Sequence, residues 1–232
     1  MKIAIMQPYF MPYIGYFQLI NAVDKFVIYD DVNYINKGWI NRNQILINNK
    51  PSIITVPLKG ASQNKKINEI FVSSDEKWKS KMLRTIELSY KKAPFFNEVF
   101  LLFQNILNSN YQTISQLNLQ SIKLICNYLS LNTTLDLSSN LYNNQIFAGQ
   151  QRILDICIKE NINQYINPIG GFDLYDKTYF EKSGVNINFI KSNPVIYKQY
   201  TDEFVPWLSI LDVLMFNGKV KTKVILNNFS LI

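Results

Sequence analysis

The first strand-like run, KIAIM at 2–6, is followed after one loop and one helical pattern by a second, KFVIYD at 25–30, and this opening limits the fold more than any later stretch. Both runs are short, apolar and rich in β-branched residues, the pattern of strands buried on both faces of a parallel sheet. Gln7-Pro8 halts the first run, and Pro8 and Pro12 bracket a loop carrying Tyr9, Phe10 and Tyr13. Phe17, Leu19 and Ile20 then predict a helix from about Tyr13 to Ala22. Two strands joined by a helix form a βαβ unit, right-handed by the twist of its strands. Ligands of such units bind beyond the carboxyl ends of the strands. Gln7 ends the first strand and Asp30-Asp31 the second, so the first loop and both acids are expected on one rim.

The rest of the chain extends this opening. SIITVPL (52–58) and INEIFVS (67–73) read as two more strands around a basic, polar loop, KGASQNKK. Ser73 and Glu76 have capping-box spacing and predict a helix to about Lys91, stopped by Pro94. Its stripe of Trp78, Met82, Ile86 and Tyr90 reads as core packing. Helices over about 95–108 and 111–130 complete a helical middle, a subdomain of about 75–131 within a single domain spanning 1–232. Leu135 and Leu137 suggest a short strand ending at Ser138-Ser139, followed by a helix over about 149–160. NQYINPIGG reads as a strand that breaks at Pro168 and Gly170-Gly171, where glycine supplies backbone freedom near a ligand or turn. A helix at 176–183, a strand at 185–191, a loop with Tyr197, Gln199 and Tyr200, and a helix in WLSILDVLMFNG close the chain. The expected class is α/β, with a Rossmann-like, parallel-rich sheet opened by the βαβ unit and a helical insertion in mid-chain.

Composition narrows the chemistry. The chain has no histidine, which excludes Ser-His-Asp and Cys-His mechanisms and any metal site built on imidazole. Acid–base work falls to Asp, Glu, Lys, Tyr or bound water. Cys126 and Cys157 each sit in an apolar helical pattern and read as reduced core residues. The net charge of +7 is spread along the chain, with no basic stripe and no nucleic-acid motif, so no nucleic-acid partner is expected. No apolar run approaches the roughly 20 residues of a membrane span, and none near the start is long enough for a signal peptide. The expected location is cytoplasmic.

Several groups are candidates for a site. Asp30 and Asp31 either cap a turn or supply a base that frees an amine nucleophile of its proton; alternation along a strand lets only one face the site. Arg42, with Lys37, either lies in solvent or grips a phosphate or carboxylate, the guanidinium in bidentate fashion. Trp39 either packs or stacks on a base or sugar face. Gln7 and Asn43 are suited to orient an acceptor or a developing oxyanion. Tyr9, Tyr13 and Tyr16 surround the first loop and are either structural or sugar-binding. Lys59, Ser138, Ser139, Gly170, Gly171, Tyr197, Gln199, Ser209 and Asp212 either complete the pocket or serve as caps and turns. Asp212, in an apolar helix, needs a partner if buried. The expected arrangement is one cleft with the acids on one wall and Arg42 on the other.

The chain resembles the WbqC-like family of bacterial O-antigen and surface-polysaccharide clusters. The resemblance rests on MQPYFMPYIGYFQLINAVDKFVIYDDVNYINKGWINRNQI at 6–45, VPLKG at 56–60, SYKKAPFF at 89–96 and the serines at 138–139. It continues through the Tyr165–Gly171 segment, YDKTYFEKSGVNINF at 175–189 and FVPWLSILDVLMFNG at 204–218. It implies a transferase of lipopolysaccharide biosynthesis that moves an aminoacyl or acyl group, glycyl being the suggested case, onto the amine of a nucleotide-linked amino sugar. The acyl group would arrive as a thioester on an acyl carrier protein or as an adenylate made from ATP. The alternative is a non-catalytic sugar-nucleotide-binding or assembly protein of the same pathway. The opening is also similar to HIGH-type nucleotidyltransferases and pantothenate synthetase, with Tyr13-Ile14-Gly15-Tyr16 where their triphosphate-binding Gly-His pair would stand.

Overall fold

A computed structural model describes residues 1–232. The βαβ opening is present as β1 (Lys2–Met6), α1 (Ile14–Asn21) and β2 (Lys25–Ile28). The strands pair in parallel, with Ile3 opposite Lys25 and Met6 opposite Ile28.

The following stretch departs from expectation. Arg42 and Asn43, singled out above only as site candidates, open a strand, β3 (Arg42–Ile47), in a hairpin with β4 (Lys50–Thr55). Asn48 and Asn49 make its turn at φ of 50° and 61°, the left-handed geometry of tight hairpins. The expected strand 52–58 therefore ends at Thr55, and β5 (Leu58–Lys59) pairs instead with β6 (Phe71–Val72). The expected strand 67–73 is divided between a 3-10 turn at Ile67–Glu69 and the two residues of β6. Its amides are drawn elsewhere: Ile67 N–H donates to the Val32 carbonyl and Asn68 N–H to that of Asp30.

The helical middle comprises α2 (Lys77–Tyr90), α3 (Phe96–Leu107) and α4 (Ile114–Leu129). The Ser73–Glu76 capping box does not form; Ser73 Oγ accepts from Asp75 N–H, and Asp75 Oδ1 accepts from Lys77 N–H at 3.1 Å. A real box caps α4, where Thr113 and Gln116 exchange bonds. Beyond it come β7 (Thr134–Asp136), α5 (Gly149–Lys159), β8 (Gln164–Pro168), α6 (Lys177–Glu181), β9 (Asn186–Ser192), α7 (Ile210–Ile225) and an unanticipated β10 (Phe229–Leu231).

The main sheet has six strands in the order β10-β9-β8-β1-β2-β7, parallel throughout except for β10. The chain moves outward from β1 through β2 to β7, then returns to place β8 on the other side of β1. The topological switch point thus lies between β1 and β8, where such sheets bind ligands. Alternation along the strands builds two cores. Ala4, Phe26 and Ile28 face α1, the helical middle and α7, while Ile3, Ile5 and Val27 face α5 and α6. No helix is long and apolar enough to cross a membrane.

Helix α7 begins at Ser209, whose hydroxyl accepts from Leu211 N–H, and breaks at Gly218. There φ is 58° and ψ −166°, a region open essentially to glycine alone. An added Cβ would also lie 2.5 Å from the Phe95 ring, which packs into the break. Gly218→Ala is expected to lower stability to urea by about 2–4 kcal/mol, strain and overpacking combined. Adding Phe95→Leu should recover only the steric part.

Candidate active site

Beyond the last paired residues of the opening strands, Tyr29 N–H still bonds the Met6 carbonyl at 2.8 Å, so Gln7 and the acids share the carboxyl rim. Strand β7 runs parallel to β2 with Asp136 opposite Val27, and the two serines that leave it meet the two acids that leave β2. Ser138 Oγ donates to Asp30 Oδ1 at 2.6 Å, and Ser139 Oγ donates to Asp31 Oδ1. Past the serines the acids diverge. Asp30 Oδ2 accepts from Ser115 Oγ on α4 at 2.6 Å, on one side of the sheet. Asp31 Oδ2 accepts from the Arg152 guanidinium on α5, on the other side, and from Gln145 Nε2 at 2.8 Å. The alternation expected of adjacent strand residues thus sends each carboxylate to a different helical layer.

The two carboxylates are equally buried, each 3% exposed, yet electrostatically unlike. Burial alone would raise both. For Asp31, hydrogen bonds from Ser139, Arg152 and Gln145, with the charge of Arg152, outweigh burial and hold the carboxyl below the ordinary range. Asp30 has only serine hydroxyls as side-chain donors, so burial, with the neighbouring Asp31 charge, leaves its pKa raised. Arg152 is itself 5% exposed, donates through Nε to Asn144 Oδ1 at 2.9 Å and covers the Tyr29 ring at 5.0 Å. Asp31 is held by a guanidinium, whereas Asp30 has hydroxyl donors and a raised pKa, with half-buried Ser138 at its outer edge.

Gln7 lies half-buried at the switch point. Its carbonyl accepts from the Tyr16 hydroxyl at 3.0 Å, while its side-chain amide has no protein partner and stands free for a ligand. Across the switch point, Gly170 and Gly171 follow β8 in a 3-10 turn. Neither has positive φ, so the expected backbone freedom is not what they supply. Gly171 closely approaches Asn167: a Cβ would fall 2.0 Å from its Nδ2, so that side chain would have to shift.

Arg42, expected on the wall opposite the acids, makes no contact with them; the guanidinium that meets Asp31 is that of Arg152. Arg42 turns back on its own loop, donating to the Gly38 carbonyl at 3.1 Å and to that of Lys37, and its guanidinium lies 6.0 Å from the Trp39 ring. Lys37, at φ 59°, makes the turn that aims its carbonyl there. Asn43 is a buried brace, its amide donating to the Phe10 and Met11 carbonyls at 3.0 and 2.8 Å. Tyr9, Pro12, Tyr13, Trp39, Asn43 and Trp207 line a cavity of about 220 Å³, to which Asp30 and Asp31 do not contribute. Lys59 is exposed on β5.

Gln199, Tyr197 and Asp212 form a separate network. The fully buried Asp212 carboxylate accepts from Tyr197 and Gln199 on Oδ1 at 2.7 and 2.9 Å, and from Tyr90 on Oδ2 at 2.9 Å. The Tyr90 hydroxyl in turn accepts from Leu46 N–H. With no cation among these donors, burial leaves the Asp212 pKa raised. This node ties α2, β3 and α7 together and is not part of the rim. Ser209 Oγ donates to the Met11 carbonyl at 2.7 Å and so braces the first loop.

Sequence reasoning missed Ser115, Gln145, Arg152 and Trp207. A signal existed for Arg152, an arginine just ahead of Ile153-Leu154 on the apolar face of an amphipathic helix. No three His, Cys, Asp or Glu side chains gather to hold a metal ion. The start of α1 does not fit a triphosphate in the nucleotidyltransferase manner. The Tyr13 ring lies 2.4 Å from the position a Gly15 Cβ would take, and the Tyr16 hydroxyl is committed to Gln7.

The sheet order and the rim cluster define an α/β protein of Rossmann-like architecture. The chain belongs to the WbqC-like protein family, whose model matches residues 7–224. It is 30% identical over 220 residues, 93% of each chain, to the uncharacterized protein Rv1507c of Mycobacterium tuberculosis (strain ATCC 25618 / H37Rv). No solved structure matches the chain.

Removing one partner of a buried ion pair strands the other's charge. Arg152→Met is expected to cost about 3–5 kcal/mol in urea unfolding at pH 7, with Asp31→Leu in the same chain recovering much of it. Because the folded pKa of Asp31 is depressed, the stabilisation is present above the ordinary aspartate value of 3.8 and is lost as pH falls through the lower folded value. The wild-type advantage over Arg152→Met should therefore shrink below about pH 4.

Proposed function

We propose that the protein is an amide-forming transferase that moves an activated aminoacyl or acyl group onto the amine of a nucleotide-linked amino sugar. The observation that carries this reading is the unequal acid pair. An amine attacks an acyl carbon only as the free base, and Asp30 is a desolvated carboxylate with raised affinity for a proton at the rim where ligands of such sheets bind. Asp30 takes the proton from the attacking ammonium. Ser115 and Ser138 hold the carboxylate in place, and Asp31 stays ionised against Arg152. The free Gln7 amide orients the acceptor or the developing oxyanion. Membership of the WbqC-like family supports the place in surface-polysaccharide synthesis that the resemblance implies. The donor is an acyl group already activated as a thioester or a mixed anhydride; no step is assigned to ATP.

A second reading keeps the ligand and drops the chemistry. It is favoured by the full hydrogen bonding of both acids, which suits a rigid clamp as well as a base. It expects pathway output to survive Asp30→Asn.

Purified protein incubated with a nucleotide-linked amino sugar and either an acyl- or aminoacyl-carrier thioester or a preformed aminoacyl adenylate is expected to yield an amide detectable by mass spectrometry, with the carrier thiol or the nucleotide released. Absence of product with every donor would sink the transferase reading. Asp30→Asn should lower kcat about 10²–10⁴-fold with folding intact. Wild-type kcat/KM should rise with pH through a value above 3.8, the ordinary aspartate pKa, because the carboxyl must be ionised to act as a base.

A further inference from the structure

We infer that the cavity between Tyr9, Pro12, Tyr13, Trp39, Asn43 and Trp207 is a ring-binding subsite, which takes one six-membered ring of the nucleotide-linked amino sugar with its apolar face on the tryptophans and its phosphates toward Arg42 and Lys37. This rests on the transferase reading for the ligand's identity and goes beyond it in placing the ligand.

Several independent features meet here. Trp39 and Trp207 remain 42% and 67% exposed although they flank one concave space, an arrangement that leaves large apolar faces for a ligand to cover. Trp207 sits at φ 62° and Met11 at φ 44°, a left-handed backbone that bulky side chains rarely adopt. The Met11 conformation is held by neighbours: Met11 O accepts from Asn43 Nδ2 and Ser209 Oγ, and the next carbonyl, Pro12 O, accepts from Ile210 N–H at 2.9 Å. Strain held in place by surrounding bonds is typical of ligand clamps. Tyr13 meets Trp207 edge-on at 6.0 Å, fixing the angle between two walls.

Charge selects the kind of ring. Neither Arg42 nor Lys37 pairs with a carboxylate, and one terminal nitrogen of Arg42 has no protein partner. The guanidinium beside Trp39 favours an anionic group next to the ring. A ring joined to phosphate satisfies both the walls and the rim. The volume of about 220 Å³ admits one ring and not a whole nucleotide sugar. The apolar C–H face of a hexosamine and the planar π face of a pyrimidine can each cover a tryptophan ring, and the test separates them.

The chain has three tryptophans, so Trp78→Phe leaves only Trp39 and Trp207 to report by fluorescence. This variant is titrated with UDP- and dTDP-linked amino sugars, with UDP and dTDP, and with free glucosamine. Quenching by the nucleotide sugars is expected. Quenching by glucosamine alone places the hexose in the cavity, and quenching by the free nucleotides alone places the base there. Binding measured by calorimetry should weaken tenfold or more in Trp39→Ala and in Trp207→Ala, and lose part of its salt dependence in Arg42→Ala. Undiminished affinity in the Trp39→Ala/Trp207→Ala double variant, or no binding of any nucleotide sugar at millimolar concentration, would overturn the subsite. Tryptophan-dependent binding without amide formation would leave the subsite standing and remove the transferase reading. Amide formation with unchanged KM in the double variant would do the reverse.

Discussion

The buried pair of Asp31 and Arg152 is the contact on which the carboxyl rim depends. Two adjacent carboxylates at the end of a buried strand repel each other and lose their hydration, so both cannot stay ionised without compensation. The fold compensates one of them with a guanidinium that is itself held by Asn144 and Tyr29. The other receives hydroxyls only. That asymmetry turns a repeated residue into two unlike groups, one with its pKa lowered and one with its pKa raised. It also joins opposite sides of the sheet, because Asp30 reaches α4 while Asp31 reaches α5.

The loop after β1 is governed by a second set of contacts, nearly all from side chains to its carbonyls. Asn118 on α4 donates to Pro8 and Ile40, Asn43 to Phe10 and Met11, and Ser209 to Met11. A loop with two prolines has few amides to offer and many carbonyls to satisfy, and buried carbonyls left unpaired are costly. Ser115 and Asn118 lie one turn apart on α4, about 5 Å along its axis. A single helix face therefore positions Asp30 and the floor of the aromatic loop. The rim and the aromatic cavity are fastened to the same helix while contributing no lining residue in common.

The βαβ opening, the parallel strands and the rim position of Gln7 and the aspartates were legible in the sequence, because period and punctuation are local signals that need no partner. The helices of the middle were legible for the same reason, and Pro94 marked the break between the first two. Less was readable where strands are short. RNQILI mixes polar and apolar residues, and its strand character comes from pairing with Lys50–Thr55. INEIFVS looked like a strand until its amides were drawn to the carbonyls of Asp30 and Val32.

The candidate site divides along the same line. Sequence by itself determined which residues could carry charge at the strand ends, since those positions follow from where apolar runs stop. It also determined that no histidine could take part. Only the tertiary structure decided which cation meets the acids. Arg42 is near in sequence but turns two of its nitrogens to its own loop, while Arg152, 121 residues beyond Asp31, is delivered by a helix on the far side of the sheet. Local pattern fixes what a segment can offer; long-range packing settles what each offered group touches, because burial forces every charge to find a partner wherever the fold provides one.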